Sequence, residues 1–518
     1  MRTGARRPAG EAMTLIKRQN KYVKKYVTAK AYSPVLTVTA ILVMLTGVLT
    51  GCGDASMARV FGGFDLRSSH SVEANAGYEQ FKARFAEVTL ADGSRGQQLK
   101  HFADAFERVR DDYVHPTDEA KMIETAVAAL DKIKEERKTV TPAVAAEAAL
   151  DAIMATLDPH SSYLNPAEFK ESQVVTSGQF GGLGIEINME DGLIRVIAPI
   201  ADTPAERAGL KSGDLITHVD GDPIKGMSLM QAVRRLRGAP NSKVRLGIRR
   251  AKKNDFDVVV TRAIIRVQPV KWATEGDIGV IRVTHFISSS EGALESAMDQ
   301  VRGKLGPRLK GLVLDLRNNP GGLLNQSVAV ADAFLHRGTV VSVRDRDGNG
   351  RGFDAARGDI AAGLPMVVLI NRGSASASEI VAGALQDHKR AVLMGGQSFG
   401  KGSVQTISPL EWDGALRLTT ALYYLPSGRT IQGHGVIPDI VVNGKAVSNA
   451  RRESDLPNAF TGAEKLLGRA AKAPQLAETN CPAAGTDGKD KLLGCAVMLL
   501  HAGSQKNFFA LIGVRKSL

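Results

Sequence analysis

With 518 residues the chain is long enough for about three domains at roughly 150 residues each. Its 43% apolar and 23% charged residues exclude a chain that is disordered throughout, collagenous or polytopic in a membrane, and three cysteines exclude a disulfide-stapled scaffold. The net charge of +13 is concentrated at the start: residues 1–51 hold nine Lys/Arg and one acid, which leaves +5 for the rest with no basic stripe interleaved with aromatics, so nucleic acid is not expected as a partner.

The basic stretch that ends at Lys30 is followed by an apolar run over 35–49 and then by Leu49-Thr50-Gly51-Cys52. This order predicts a leader over 1–51 that directs export, its apolar part too short and too abruptly ended for a spanning helix. Small residues directly before a cysteine resemble a bacterial lipobox, which would make Cys52 a lipidated first residue. The competing reading is an uncleaved membrane anchor with Cys52 incidental. Both predict a membrane-attached protein on the periplasmic side of a bacterial cell envelope. Cys481 and Cys495 would then lie in an oxidising compartment as a candidate disulfide pair.

Residues 52–96 are rich in Gly, Ala and Ser and read as a tether. An N-terminal helical region over 97–172 follows: Leu99, Phe102, Phe106, Val109 and Tyr113 recur at helical spacing, and further helices are expected over about 119–134 and 142–156, the latter opened by Pro142. The stretch Leu157-Asp158-Pro159-His160-Ser161-Ser162-Tyr163-Leu164 comes next. Over 173–265 the period changes to two, with strands expected at 182–187, 193–197 and 243–249 and a helix near 228–236. This succession resembles a PDZ domain. Its physical core is Gly182-Leu183-Gly184-Ile185, where a glycine turn that frees backbone N–H groups can capture a C-terminal carboxylate beside a strand edge open to an extended peptide. A glycine pair that only serves a bulge is the plainer reading.

Over 266–442 the pattern is α/β. The runs at 311–316 and 366–370 are almost wholly apolar, as strands buried on both faces should be. After the second run comes Ser374-Ala375-Ser376-Ala377-Ser378-Glu379 at a strand-to-helix junction. Ser376 with Glu379 matches a capping box, yet the same helix start offers free N–H groups to an oxyanion. The adjacent Asp387 and His388 lie twelve residues further along one helix, about 18 Å away at ~1.5 Å per residue, and read as helix-end polar residues. The alternative base is Lys401 in Ser398-Phe399-Gly400-Lys401-Gly402-Ser403-Val404-Gln405. A strand over 401–407 would place Lys401, Ser403 and Gln405 on one face, so that Gln405 could orient the amine. The near match to a nucleotide-binding loop fails at Gly402, which has no hydroxyl for a metal ion. Asp315-Leu316-Arg317-Asn318-Asn319-Pro320-Gly321-Gly322 follows a buried strand, where open α/β sheets place ligands; Gly321 or Gly322, with the N–H of Ala377, could form an oxyanion hole.

These stretches, with Gly428-Arg429-Thr430-Ile431-Gln432-Gly433-His434-Gly435-Val436-Ile437-Pro438-Asp439, occur in this order around an inserted PDZ-like segment. Over 97–442 the chain resembles the C-terminal processing (tail-specific) serine peptidases. The resemblance implies Ser376 as nucleophile, Lys401 as base, Gln405 as its orienter, and Gly322 and Ala377 in the oxyanion hole. It also implies an α/β peptidase core with an inserted β-rich PDZ domain, preceded by the helical region, α+β overall. Expected partners are protein or peptide substrates with accessible C-terminal tails, with no metal, nucleotide or other cofactor; a homo-oligomer or an activating partner stays open. The rivals are an inactive PDZ scaffold that binds tails without cutting and an exported hydrolase of small esters or amides. Residues 443–518 carry no recognisable signature.

Overall fold

The computed structural model describes residues 72, 76–200, 202–225, 227, 229–251, 254–356, 358–443, 451–460 and 473–512; the leader, its apolar run and Cys52 lie outside them. Four helices come first: α1 (Ala76–Val88), α2 (Arg95–Asp112), α3 (Glu119–Glu136) and α4 (Pro142–Leu157). The start of α4 follows from Thr141, whose hydroxyl accepts from the Val144 N–H, and from Pro142 in the first turn. The first helix corrects the expectation of a tether up to residue 96. Tyr78, Phe81, Phe85 and Val88 share one face and are buried, with Phe81 stacked on Phe102 at 4.0 Å between ring centroids. No helix among the described residues is long and apolar enough to cross a membrane.

After β1 (Ser162–Leu164) and α5 (Pro166–Ser177), β2 (Gln179–Gly182) opens a β-rich module and β9 (Ala263–Arg266) closes it, the two paired antiparallel. Between them lie β3 (Ile185–Glu190), β4 (Leu193–Pro199), β5 (Leu215–Val219), β6 (Asp222–Pro223), β7 (Lys243–Arg249) and β8 (Phe256–Thr261). They form a sheet of order β3-β4-β5-β7-β8 with β6 on β5, accompanied by α6 (Pro204–Arg207) and α7 (Leu229–Leu236). Val244, Leu246 and Ile248 alternate into the module's core with Ile194, Val196 and Ile216. The strand expected over 182–187 is broken at Leu183-Gly184, where the chain passes from one sheet to the other. Gly184 has φ +78°, and a Cβ there would lie 2.3 Å from Cβ of Thr203.

The α/β core is a seven-stranded sheet. Its strands are β10 (Val270–Glu275), β11 (Ile278–Val283), β12 (Gly311–Asp315), β15 (Met366–Ile370), β16 (Val392–Gly395), β19 (Ile440–Asn443) and β20 (Gln475–Ala477), parallel except for the β10–β11 pair. Every residue of β12 and β15 is buried, which accounts for their apolar runs. Leu312 and Leu314 pack toward α8 (Ser290–Leu305), α9 (Leu324–Asp332) and α10 (Ala377–Asp387); Val313 packs on the other face, which α11 (Lys491–Ala502) and α12 (Gln505–Leu511) cover. The motif-free stretch 473–512 thus supplies an edge strand and one whole helical layer, and a disulfide joins Cys481 to Cys495 within it. A second sheet has the order β1-β18-β13-β14, from β13 (Gly338–Arg344), β14 (Gly350–Ala355) and β18 (Ala415–Tyr424), with β17 (Ser403–Pro409) paired to β18. Leu416 and Leu418 of β18 complete the core of the N-terminal helices, and Thr419 of the same strand donates to Ser161 and Asp158, which ties the loop over 158–161 to this sheet.

Candidate active site

Ser376 ends the loop between β15 and α10 with φ +53° and ψ −113°, a conformation that costs a non-glycine residue energy and recurs at functional positions. The capping interaction runs through its backbone: the Ser376 N–H donates to Glu379 Oε2 at 2.7 Å, while the hydroxyl makes no capping bond. The hydroxyl is therefore left for a cavity of about 590 Å³ whose lining includes Gly322, His160, Lys401, Gln405 and Tyr423. Burial pushes the Tyr423 phenol up to about 12, with the neighbouring Ser376 hydroxyl acting against that shift.

Glu379 is fully buried and accepts four hydrogen bonds: from the N–H groups of Ser376, Gly400 and Lys401 and from the Ser398 hydroxyl. Burial pushes its carboxyl up to about 7 against those four donors. One side chain thus joins the loop that bears Ser376 to the loop that bears Lys401. Reading Glu379 only as a cap misses that second set of contacts, which comes from residues about twenty positions further on and has no local sequence signal.

Gly322 has φ +142°, and a Cβ there would lie 2.1 Å from the Phe286 carbonyl oxygen, so no other residue fits without backbone movement. The alternatives Gly321 and Gly322 are separated by their hydrogen bonds. The Gly321 N–H donates to Asn319 Oδ1 at 2.9 Å, whereas those of Gly322 and Ala377 have no acceptor among the described residues. Two uncommitted N–H groups beside a serine hydroxyl are what an oxyanion requires.

Lys401 lies just before β17, and burial lowers its proton affinity. The charge of Glu453 opposes that shift, Arg417 adds to it, and Asp158 and Glu379 oppose it. Ser376, Lys401 and Gln405 line the same cavity but form no hydrogen bond with one another; the Gln405 amide donates to Ser403 Oγ at 3.0 Å and Thr419 Oγ1 at 3.1 Å. The strand begins at Ser403 rather than 401, and its register shifts between Val404 and Gln405, so strict alternation fails and both residues face the cavity. His388 and Asp387 stand at the far end of α10, where His388 Nε2 contacts the Thr339 carbonyl and Asp387 pairs with Arg429. Neither lines the cavity of Ser376.

In the β-rich module, Gly182 closes β2, Leu183 is buried, and Ile185 opens β3, an edge strand of its sheet. The N–H groups of Leu183 and Gly184 have no acceptor among the described residues. An edge strand beside free N–H groups suits an extended peptide that ends in a carboxylate. Among the described residues no cluster of His, Cys, Asp and Glu has the arrangement of a metal site.

The chain is similar to known proteins over most of its described length. Residues 277–442 match the peptidase family S41 and residues 195–250 match the PDZ domain family. A carboxy-terminal-processing protease of Bartonella bacilliformis is 47% identical over 375 residues, 72% of this chain and 79% of that protein. A carboxyl-terminal-processing protease of Synechocystis is 36% identical over 62% of this chain and 76% of its own length. Among solved structures, a photosystem II D1 C-terminal processing protease is 31% identical, covering 67% of this chain and 92% of that one, with a TM-score of 0.42. The chain belongs to peptidase family S41, among the carboxy-terminal-processing proteases that carry a PDZ domain.

Proposed function

We propose that this protein is an exported serine endopeptidase that reads the C-terminal tail of protein substrates and cuts them with a Ser/Lys pair. The observation that carries the reading is the shared cavity of Ser376 and the half-buried Lys401, flanked by the free N–H groups of Gly322 and Ala377. An ordinary lysine with pKa ~10.4 is almost wholly protonated at neutral pH; burial favours the neutral amine, which can accept a proton. Neutral Lys401 takes the Ser376 proton as Oγ attacks the scissile carbonyl, and the Gly322 and Ala377 N–H groups hold the oxyanion. The ammonium then gives its proton to the leaving amine, and water, deprotonated by the same lysine, hydrolyses the acyl-enzyme. Gln405 donates its amide N–H groups to Ser403 and Thr419, which leaves its carbonyl oxygen to accept from the lysine.

The loop of Gly182, Leu183, Gly184 and Ile185 is the site proposed to take the tail carboxylate, with the peptide added to the edge of β3. The disulfide between Cys481 and Cys495 supports a location outside the cytoplasm, where such bonds persist, and the leader with Cys52 supports attachment to the membrane as a lipoprotein. The test is peptide cleavage by three variants. Ser376→Ala and Lys401→Arg should each lose cleavage, since a guanidinium stays protonated, while His388→Ala keeps it. Near wild-type rates in Lys401→Arg, or a His388→Ala protein as inactive as Ser376→Ala, would overturn the assignment.

A further inference from the structure

Glu453 lies past residue 442, where the match to the peptidase family ends, in a stretch whose sequence carries no motif. Its side chain is 1% exposed, so its charge must be met by protein groups. Both carboxylate oxygens lie 2.9 Å from His160 Nε2, and Oε1 accepts from Gln432 Nε2 at 3.1 Å. The Glu453 backbone N–H donates to the Phe399 carbonyl at 3.2 Å. Gln432, itself 1% exposed, accepts from the Gly402 N–H at 2.8 Å.

These contacts converge on one residue. Phe399 stands two positions before Lys401 and Gly402 one after it; Glu453 holds the first directly and the second through Gln432. On the other side, His160 belongs to the loop whose Asp158 accepts from the Thr419 hydroxyl, and Thr419 in turn accepts from Gln405. We infer that Glu453 is a positioning residue for the Lys401 base, a buried charge from outside the peptidase motifs that fixes both flanks of the lysine and ties them to the 158–161 loop.

The inference rests on the assignment of Lys401 as base and adds an electrostatic consequence. Four charged groups act on the lysine: Glu453, Asp158 and Glu379 favour the ammonium and Arg417 opposes it, with Glu453 the strongest of them; His160 meets Glu453 from the cavity side. Asp158 is held by Ser161 and Thr419, and Glu379 by its four donors, so both persist when Glu453 is changed. Glu453→Gln keeps an acceptor and the backbone bond to Phe399 while it removes the charge. Glu453→Ala removes the side-chain contacts as well.

The experiment is the pH profile of kcat/KM on a fluorescence-quenched peptide with a free C-terminal alanine, on the full chain, with folding followed by thermal unfolding. In Glu453→Gln the acid limb, where Lys401 gains its proton, should move down by about 0.5–1 pH unit. In Glu453→Ala, kcat above that limb should fall about tenfold or more with little change in KM, as for a misplaced base. A folded Glu453→Gln protein with the wild-type acid limb overturns the inference whatever Glu453→Ala does, because loss of packing alone lowers rates without moving that limb. If Glu453→Ala does not fold, the limb of Glu453→Gln decides alone. Lys401→Arg, assayed alongside, separates the two readings: activity there removes the base itself, whereas inactivity there with an unmoved limb in Glu453→Gln removes only the role of Glu453.

Discussion

Asp490→Asn tests how firmly the C-terminal layer holds the loop that carries Gly322. Arg317, at the head of that loop, makes two bonds to Asp315 at 2.9 and 2.8 Å and two to Asp490 at 2.9 and 2.6 Å. Burial disfavours the guanidinium charge, but the two carboxylates outweigh it and raise its proton affinity. Asn at position 490 can still cap α11, as Asp490 does by accepting from the Leu493 N–H, so the substitution isolates the charge. Arg317 keeps Asp315 and Asp490 is partly exposed, which puts the cost near the lower end for a charge-assisted pair, about 2 kcal/mol. For a compact unit that spans Ser71–Leu518 that corresponds to a fall of about 2 °C in Tm. The sign with pH is fixed: burial would raise the Asp490 carboxyl, but Arg317 outweighs it and holds it below the ordinary value. A carboxyl depressed in the folded state contributes stability that is complete above its unfolded value of about 3.9 and lost as pH falls through the folded one. Wild type and Asp490→Asn should therefore differ at pH 7 and converge below about pH 4. Equal Tm at pH 7, or a gap that persists undiminished at pH 3, would refute the argument.

Replacing Cys481 and Cys495 together by Ser should cost about 3 kcal/mol for a loop of this size, with a sequence separation of 14, and a reductant should then cause no further drop in Tm. Amidating a substrate's C-terminus should slow its cleavage by removing the charge that the Gly182–Ile185 loop is proposed to bind; equal rates for acid and amide would count against tail reading. Cys52→Ser should abolish acylation and weaken membrane association; mass spectrometry that finds a mature N-terminus elsewhere would reject the lipoprotein assignment.

Strands β12 and β15 are legible in the sequence because burial on both faces leaves only Asp315, at the end of β12, as a polar position in either run. The grouping of Gly322, Ser376, Lys401 and Gln405 in one cavity is also legible, through loops that directly follow or precede core strands. Helix α1 is not, since Tyr78, Phe81 and Phe85 stand among polar and small residues that mask their spacing. The shared face expected for Lys401, Ser403 and Gln405 fails for a different reason: a bulge is a backbone irregularity that side-chain alternation cannot announce. Glu453 and Asp490 are invisible because a lone acid has no local pattern, and their partners lie 293 and 173 residues away.

The pairing of β2 with β9 has an evolutionary reading. Val267 N–H donates to the Gly178 carbonyl at 2.9 Å, so the chain enters and leaves the β-rich module through neighbouring positions. A segment with adjacent ends can be exchanged for another of the same kind without altering the register of the seven-stranded sheet or the spacing of the loops around Ser376. The module proposed to read tails can therefore change independently in this architecture, while the loops around Ser376 stay under their own constraints.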